Sequence, residues 1–270
     1  MPEGPAHPRF PAVSFVSRAE FDAYVRASGP ELDALFRYER RLATTEPVFY
    51  RPGTCAPCLR PALFTVATAG GEVLPGGRRV PNWREEFVCD CADRLCARFR
   101  ATLHFLQGVV GISSWTRLLL FGPGTPLDRR LRALMPLTRV MASPAWADGR
   151  FRLEADTASL HLALALDVLH LVPPLDAALA EFRRVLVGGG QLVFTVPFRA
   201  VSNETISRLD RPPGGGAPSA AMRNREVHEF GWDLLPRLRA AGFRRAWAHC
   251  YRSEELGYCG PFLMIFSAEA

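Results

Sequence analysis

The run Leu118-Leu-Leu-Phe-Gly-Pro-Gly-Thr-Pro-Leu-Asp128 limits the fold more than any other stretch of the chain. Apolar residues stop at Gly122 and Gly124, and a basic amphipathic stretch follows over 129–135. That spacing predicts a strand, a tight glycine turn and the start of a helix. Glycine lets the backbone come close to a ligand, and a helix N-terminus offers unpaired N–H groups. Alone, Gly-x-Gly is a weak signal, because many strand-to-helix turns carry it for packing only.

The residues after this turn keep the same rhythm. Strands are expected at 118–122, 138–142, 151–154, 163–169, 191–197, 246–251 and 261–267, with helices at 127–135, 175–187 and 230–241. Several of these strands are continuously apolar, as parallel strands covered on both faces must be. Alternating βα units predict a doubly wound, Rossmann-like α/β sheet. The last two strands are joined by a short link through Gly257 to Gly260, so the edge is expected to be antiparallel. The Pro/Gly-rich segment 210–219 reads as a loop over the end of the sheet.

The front of the chain differs. Ser17 and Glu20 form a capping-box pattern ahead of Phe21, Tyr24 and Val25, and a second helical pattern begins at Pro30. Three regions are expected: N-terminal helices over 1–47, a Cys-rich module over 48–101, and the α/β domain over 102–270. The whole is 270 residues with a net charge of +6, and every basic side chain is Arg. The clusters Arg94/Arg98/Arg100 and Arg129/Arg130/Arg132 read as solvated helix faces before they read as a nucleic-acid surface. No apolar run reaches the ~20 residues of a membrane span. The start, Met1-Pro-Glu-Gly-Pro, lacks the order of a signal peptide, so a cytoplasmic protein is expected.

Five of the seven cysteines fall between residues 55 and 96. In a cytoplasmic chain such clustering favours a metal over disulfides. Cys55-Ala-Pro-Cys58 is one knuckle, and Cys89-Asp-Cys91 supplies the other half. Four thiolates suit tetrahedral zinc, and a small loop-rich module gains from such a staple. The Cys-x-Cys half departs from the usual two-residue spacing, which leaves Cys96 as an alternative fourth ligand. Reduced free thiols and redox chemistry are the competing readings.

The segment Ala163-Leu-Ala-Leu-Asp167-Val-Leu-His-Leu, the helix ending Phe182-Arg-Arg-Val-Leu186, and Gly188-Gly-Gly190 before an apolar strand resemble the second half of a class I S-adenosylmethionine-dependent methyltransferase. Phe230-Gly-Trp232 and the helix after it resemble that fold's last helix. The likeness covers about 117–269. The front half, with Pro81-Asn-Trp-Arg-Glu-Glu-Phe-Val-Cys89, is similar to bacterial methyltransferase-like proteins with an N-terminal Cys-rich module.

The resemblance implies a mostly parallel seven-stranded sheet with an antiparallel edge. It also implies a cofactor, S-adenosylmethionine, wrapped at its methionine end by Gly122 and Gly124 with Phe121 and Thr125 flanking. Ser143 stands where a ribose-binding acid is usual. Asp156 matches the adenine-side residue, and Asp167 ends the fourth strand on the cofactor side. His170 and His228 are the candidate catalytic bases. Each has a plainer alternative: Asp167 as a strand-end cap, His170 and His228 as structural histidines. The expected partner is a small-molecule acceptor. Two rivals stand beside methyl transfer: the same fold turned to a cyclisation, elimination or rearrangement, and a non-catalytic binding protein.

Overall fold

The computed structural model describes residues 8–141, 145–147, 150–207 and 227–270. Two compact units share the chain. One runs to Val13 and adds 21–112 and 250–263; the other holds 14–20, 113–249 and 264–270. The Cys-rich segment and most of the expected N-terminal helical region thus lie in one unit, together with 250–263, while 14–20 fall in the other.

In chain order the first elements are β1 (Ala12–Phe15), α1 (Arg18–Ala27) and α2 (Gly29–Arg41). The expected capping box forms in shifted form: the Glu20 N–H donates to Ser17 Oγ at 3.4 Å, and Glu20 Oε2 accepts the N–H of Val16, one residue before the N-cap, at 2.8 Å. Next come β2 (Val48–Cys55), β3 (Arg60–Ala67), β4 (Glu72–Val73), β5 (Arg79–Val80), β6 (Phe87–Val88) and α3 (Ala97–Phe105). Strands β2, β3 and β6 form an antiparallel sheet over a small core that includes Phe64, Trp83 and Phe87.

The second unit contains β7 (Leu118–Phe121), α4 (Pro126–Leu134), β8 (Arg139–Met141), β9 (Ala145–Ala147), β10 (Arg150–Arg152), β11 (Leu160–Leu166), α5 (Leu175–Val185) and β12 (Leu186–Thr195). After them come β13 (Ile206–Ser207), β14 (His228–Glu229), α6 (Leu234–Ala240), β15 (Arg245–Tyr251) and β16 (Met264–Glu269). The main sheet has seven strands in the order β1-β15-β16-β12-β11-β7-β8. Strands β8, β7, β11 and β12 run parallel, and β16 is antiparallel to β12. Leu118–Leu120 and Leu162–Ala165 are buried throughout, so an unbroken apolar run is what the position requires. Helix α5 buries Leu175, Ala178, Leu179, Phe182 and Val185, an i, i+3, i+4, i+7 stripe. No helix of the described residues is long and apolar enough to cross a membrane.

Two expectations need correction. The strand expected at 151–154 does not join the main sheet; it is β10, paired only with β9 in a separate hairpin. Helix α5 supplies the reason. Phe151 packs on Phe182 at 5.8 Å, and the Glu181 carboxylate takes the Leu153 N–H at 2.9 Å. The seventh strand is instead β1, at the opposite edge. The glycine run 188–190 is not a separate turn before the strand either. It forms a bulge within β12, with Gly189 at φ +76°, after which the ladder with β11 resumes.

Candidate functional site

In the order β12-β11-β7-β8 the chain starts at β7, steps outward to β8, then returns to β11 and continues to β12 on the other side. The connections reverse direction between β7 and β11, and open α/β sheets bind ligands at the carboxyl ends of strands at such a point. Gly122–Gly124 leaves β7 there, Asp167 ends β11, and Thr195 ends β12. Gly122 and Gly124 have φ values of +92° and +75°, which side chains tolerate poorly. A Cβ on Gly124 would meet nothing within 4 Å, so the backbone there faces open space.

Asp167 also has a positive φ, +52°. Its N–H donates to the Thr195 carbonyl at 2.9 Å, and Thr195 Oγ1 donates to Asp167 Oδ1 at 3.0 Å. The carboxylate is therefore pinned at the strand end by the neighbouring strand. The strand-cap reading and the ligand-facing reading share this geometry.

The α4 N-terminus holds a residue that the sequence reading passed over. Asp128, 4% exposed, accepts the Gly124 N–H at 2.8 Å and pairs with Arg132 at 2.6 Å. Its own N–H donates to Thr125 Oγ1 at 3.1 Å. Thr125 is thus the N-cap, and the Asp128 carboxylate reaches back to hold the Gly124 N–H ahead of the helix. The signal was present in the sequence, as the pattern Thr125-x-x-Asp128.

Asp156 is not brought to this crevice. It lies exposed in the turn entering β11, at the amino end of that strand, whereas Asp167 is at its carboxyl end. Seven residues of strand separate the two ends by about 20 Å. The reason is the displaced hairpin: β9 and β10 do not carry the chain to the carboxyl edge. Ser143 lies outside the described residues, as does the loop over 210–219.

His170 and His228 are brought close through the backbone: the Val227 N–H donates to the His170 carbonyl at 2.8 Å. His170 sits buried in the helical turn Leu169–Leu171. His228, 2% exposed, places Nε2 3.0 Å from the Val172 carbonyl and Nδ1 2.8 Å from Ser207 Oγ. A carbonyl only accepts, so Nε2 carries a proton, while Nδ1 shares its hydrogen bond with a hydroxyl that can donate or accept. Nδ1 is thus reached through Ser207.

In the other unit the cysteines converge. The sulfurs of Cys55, Cys58 and Cys89 all lie within 4.8 Å of one another. Cys55 closes β2, Cys58 follows in a helical turn, and Cys89 follows β6, so the β2-β3-β6 sheet brings the two halves to one end. Left-handed residues shape both turns: Leu59 at φ +51° and Arg94 at +49°. Cys91 stands against Cys89 and Cys58, and its N–H donates to Cys89 Sγ at 3.3 Å. Burial raises the Cys91 thiol, but N–H groups of Leu95 and Arg94 with its thiol neighbours leave it below the usual range. Contact with Cys55, with burial, pushes Cys58 up to about 12. Cys96 turns elsewhere, with Sγ 3.6 Å from Glu85 Oε2.

The donor set fits zinc. Tetrahedral thiolates around zinc stand about 3.8 Å apart, so the three sulfurs need little movement to close on an ion. The surroundings fit as well. Arg100 is wholly buried beside Cys55 and has no carboxylate partner among the described residues; contact with Cys58 lowers the Cys55 thiol, but Cys89 and burial push it up to about 11. Clustered thiolates carry negative charge that such a cation offsets.

No protein-family model matches the sequence, and no curated protein does. Solved structures are similar to it at low identity. The cyclase SpnF is 23% identical over 57% of this chain and 62% of its own, with a TM-score of 0.36. The 1,6-didemethyltoxoflavin-N1-methyltransferase of Burkholderia thailandensis, solved with S-adenosylhomocysteine, is 19% identical over 63% and 65%, TM-score 0.34. An S-adenosylmethionine-dependent methyltransferase of Mesorhizobium loti is 14% identical over 57% and 91%, TM-score 0.36. The alignments span under two thirds of the length of the first two of these structures. By its own strand order, a parallel doubly wound sheet with β16 antiparallel beside β12, the chain has a Rossmann-like, class I methyltransferase-like fold.

Proposed function

We propose that this protein is an S-adenosylmethionine-dependent methyltransferase acting on a small-molecule acceptor, with a structural zinc on Cys55, Cys58, Cys89 and Cys91. One observation carries the reading: Gly122–Gly124, Asp167 and Thr195 meet at the carboxyl ends of β7, β11 and β12, where the strand connections reverse. The cofactor supplies an already activated methyl group, so the chain has only to bind, orient and exclude water. The open face of Gly124 admits the methionine end, with Phe121 and Thr125 beside it, and Asp167 accepts hydrogen bonds from the nucleoside. Ser143 is assigned to the ribose. His228, through Ser207, takes the proton an acceptor releases, and His170 shapes the turn that holds it. Asp156 has no part in this assignment.

The test is calorimetric titration of the metal-loaded protein with S-adenosylmethionine and S-adenosylhomocysteine. Micromolar binding that Gly124→Arg abolishes supports the assignment. Absence of binding by both sinks it.

A second reading has its own observation. Asp128 occupies the first turn of α4, and the sequence has Ser143 where a ribose-binding acid is usual. Both favour a methyltransferase fold turned to a cyclisation, elimination or rearrangement. Turnover of an acceptor without S-adenosylmethionine supports this reading, and an ordinary methylated product excludes it.

A further inference from the structure

A cavity of about 600 Å³ lies within the N-terminal unit and takes no part in the reading above. That volume is within the range of small-molecule sites. Its walls include the rings of Phe10, Tyr24, Phe36, Tyr251 and Phe262. Among the described residues, the charged ones that line it are Arg9 and Arg252, and none is a carboxylate.

The two arginines differ. Arg252 is fixed: its guanidinium pairs with buried Glu39 at 2.7 Å and lies over the Phe36 ring at 5.7 Å. Glu39 is committed in turn, accepting the Gly260 N–H at 2.8 Å. Arg9 is exposed at the cavity and has no ion-pair partner among the described residues. Cys250, also in the wall, is pushed up to about 12 by burial, so it stays an uncharged thiol that does not oppose an anion.

We infer that this cavity binds a small carboxylic acid with an aromatic or branched apolar body. The rings take the apolar part, Arg9 pairs with the carboxylate, and Arg252, its charge met by Glu39, forms a rigid polar wall. An aromatic wall without positive charge would take neutral ligands equally well. Arg9, which has no ion-pair partner among the described residues, is what selects the acid.

The test titrates the full-length, metal-loaded protein with naphthoate and with the isosteric naphthamide, following heat by calorimetry. Naphthoate is expected to bind below about 1 mM and at least about tenfold tighter than the amide. Arg9→Gln is expected to erase that preference. Leu32→Trp fills the cavity and is expected to abolish binding, and Val13→Trp, at an exposed lining position, repeats the test without disturbing the interior. Equal binding of acid and amide, binding unchanged in all three variants, or no binding to about 1 mM overturns the inference. S-adenosylmethionine binding by the same samples is read separately, so the two proposals fail independently.

Discussion

Arg100 donates from Nη2 to the Gly257 carbonyl at 3.0 Å, across 157 residues of sequence. Its Nη1 takes the Leu256 carbonyl at 2.5 Å, and the guanidinium lies 4.1 Å from the Phe64 ring centroid. One side chain thus anchors the link between β15 and β16 to the Cys-rich sheet. Gly257 lets this happen: its φ is +64°, and a Cβ there would stand 3.0 Å from Arg100 Nη2.

Arg100→Met is therefore expected to leave buried carbonyls without a donor and to cost roughly 3 kcal/mol. Arg100→Lys should rescue little, because an ammonium cannot reach two carbonyls and stack on a ring at once. Urea unfolding measures both. A loss under about 1 kcal/mol in Arg100→Met would show that the anchor is dispensable.

The zinc assignment makes a sharper distinction. Cys91→Ser is expected to weaken zinc by more than about tenfold, whereas Cys96→Ser leaves one zinc per chain. Elemental analysis after dialysis against a mild chelator reads both. The reverse pattern would move the fourth ligand to Cys96, against the 3.6 Å approach of that sulfur to Glu85.

How much of this was legible depended on range. The β7 strand, the glycine turn and α4 were readable because period and turn chemistry are local. The same holds for Ser17 with Glu20. Asp156 was misplaced because its position was inferred from a strand expected to join the sheet. Arg150-Phe-Arg152 alternates as a strand should, yet its partner is a hairpin, and the Glu181 contact that holds it there comes from 28 residues away. The Arg100 anchor lies further out of reach, since nothing near Gly257 in sequence announces a guanidinium. Asp128 was legible and was missed: Thr-x-x-Asp at the start of an amphipathic helix is a cap pattern.

Asp128 should be a stabilising residue whatever the ligand. Asp128→Ala removes the acceptor of the Gly124 N–H and the partner of Arg132, at an expected cost of about 1–2 kcal/mol. Asp128→Asn keeps an acceptor and should lose less. Thermal unfolding compares them; an Ala variant as stable as the wild type would remove the cap from the account.

His249 gives the fold a pH dependence of defined sign. It is held between Ser14 of β1 at Nδ1, 2.7 Å, and Ser267 of β16 at Nε2, 2.8 Å. Burial lowers its pKa from 6.5 to about 4. The unfolded chain therefore takes up a proton at about pH 6.5 that the folded chain refuses until about pH 4. Stability is full above the unfolded value and declines as pH falls through this window, by up to about 3 kcal/mol. Below the folded value the loss from this group is complete. His249→Gln keeps a polar group at the site and should flatten the slope between about pH 6.5 and pH 4, while carboxylates still act at the acid end. Urea unfolding of both proteins across that range decides the matter. Parallel curves would mean that another group titrates there, and that the serine pair does not hold the imidazole neutral.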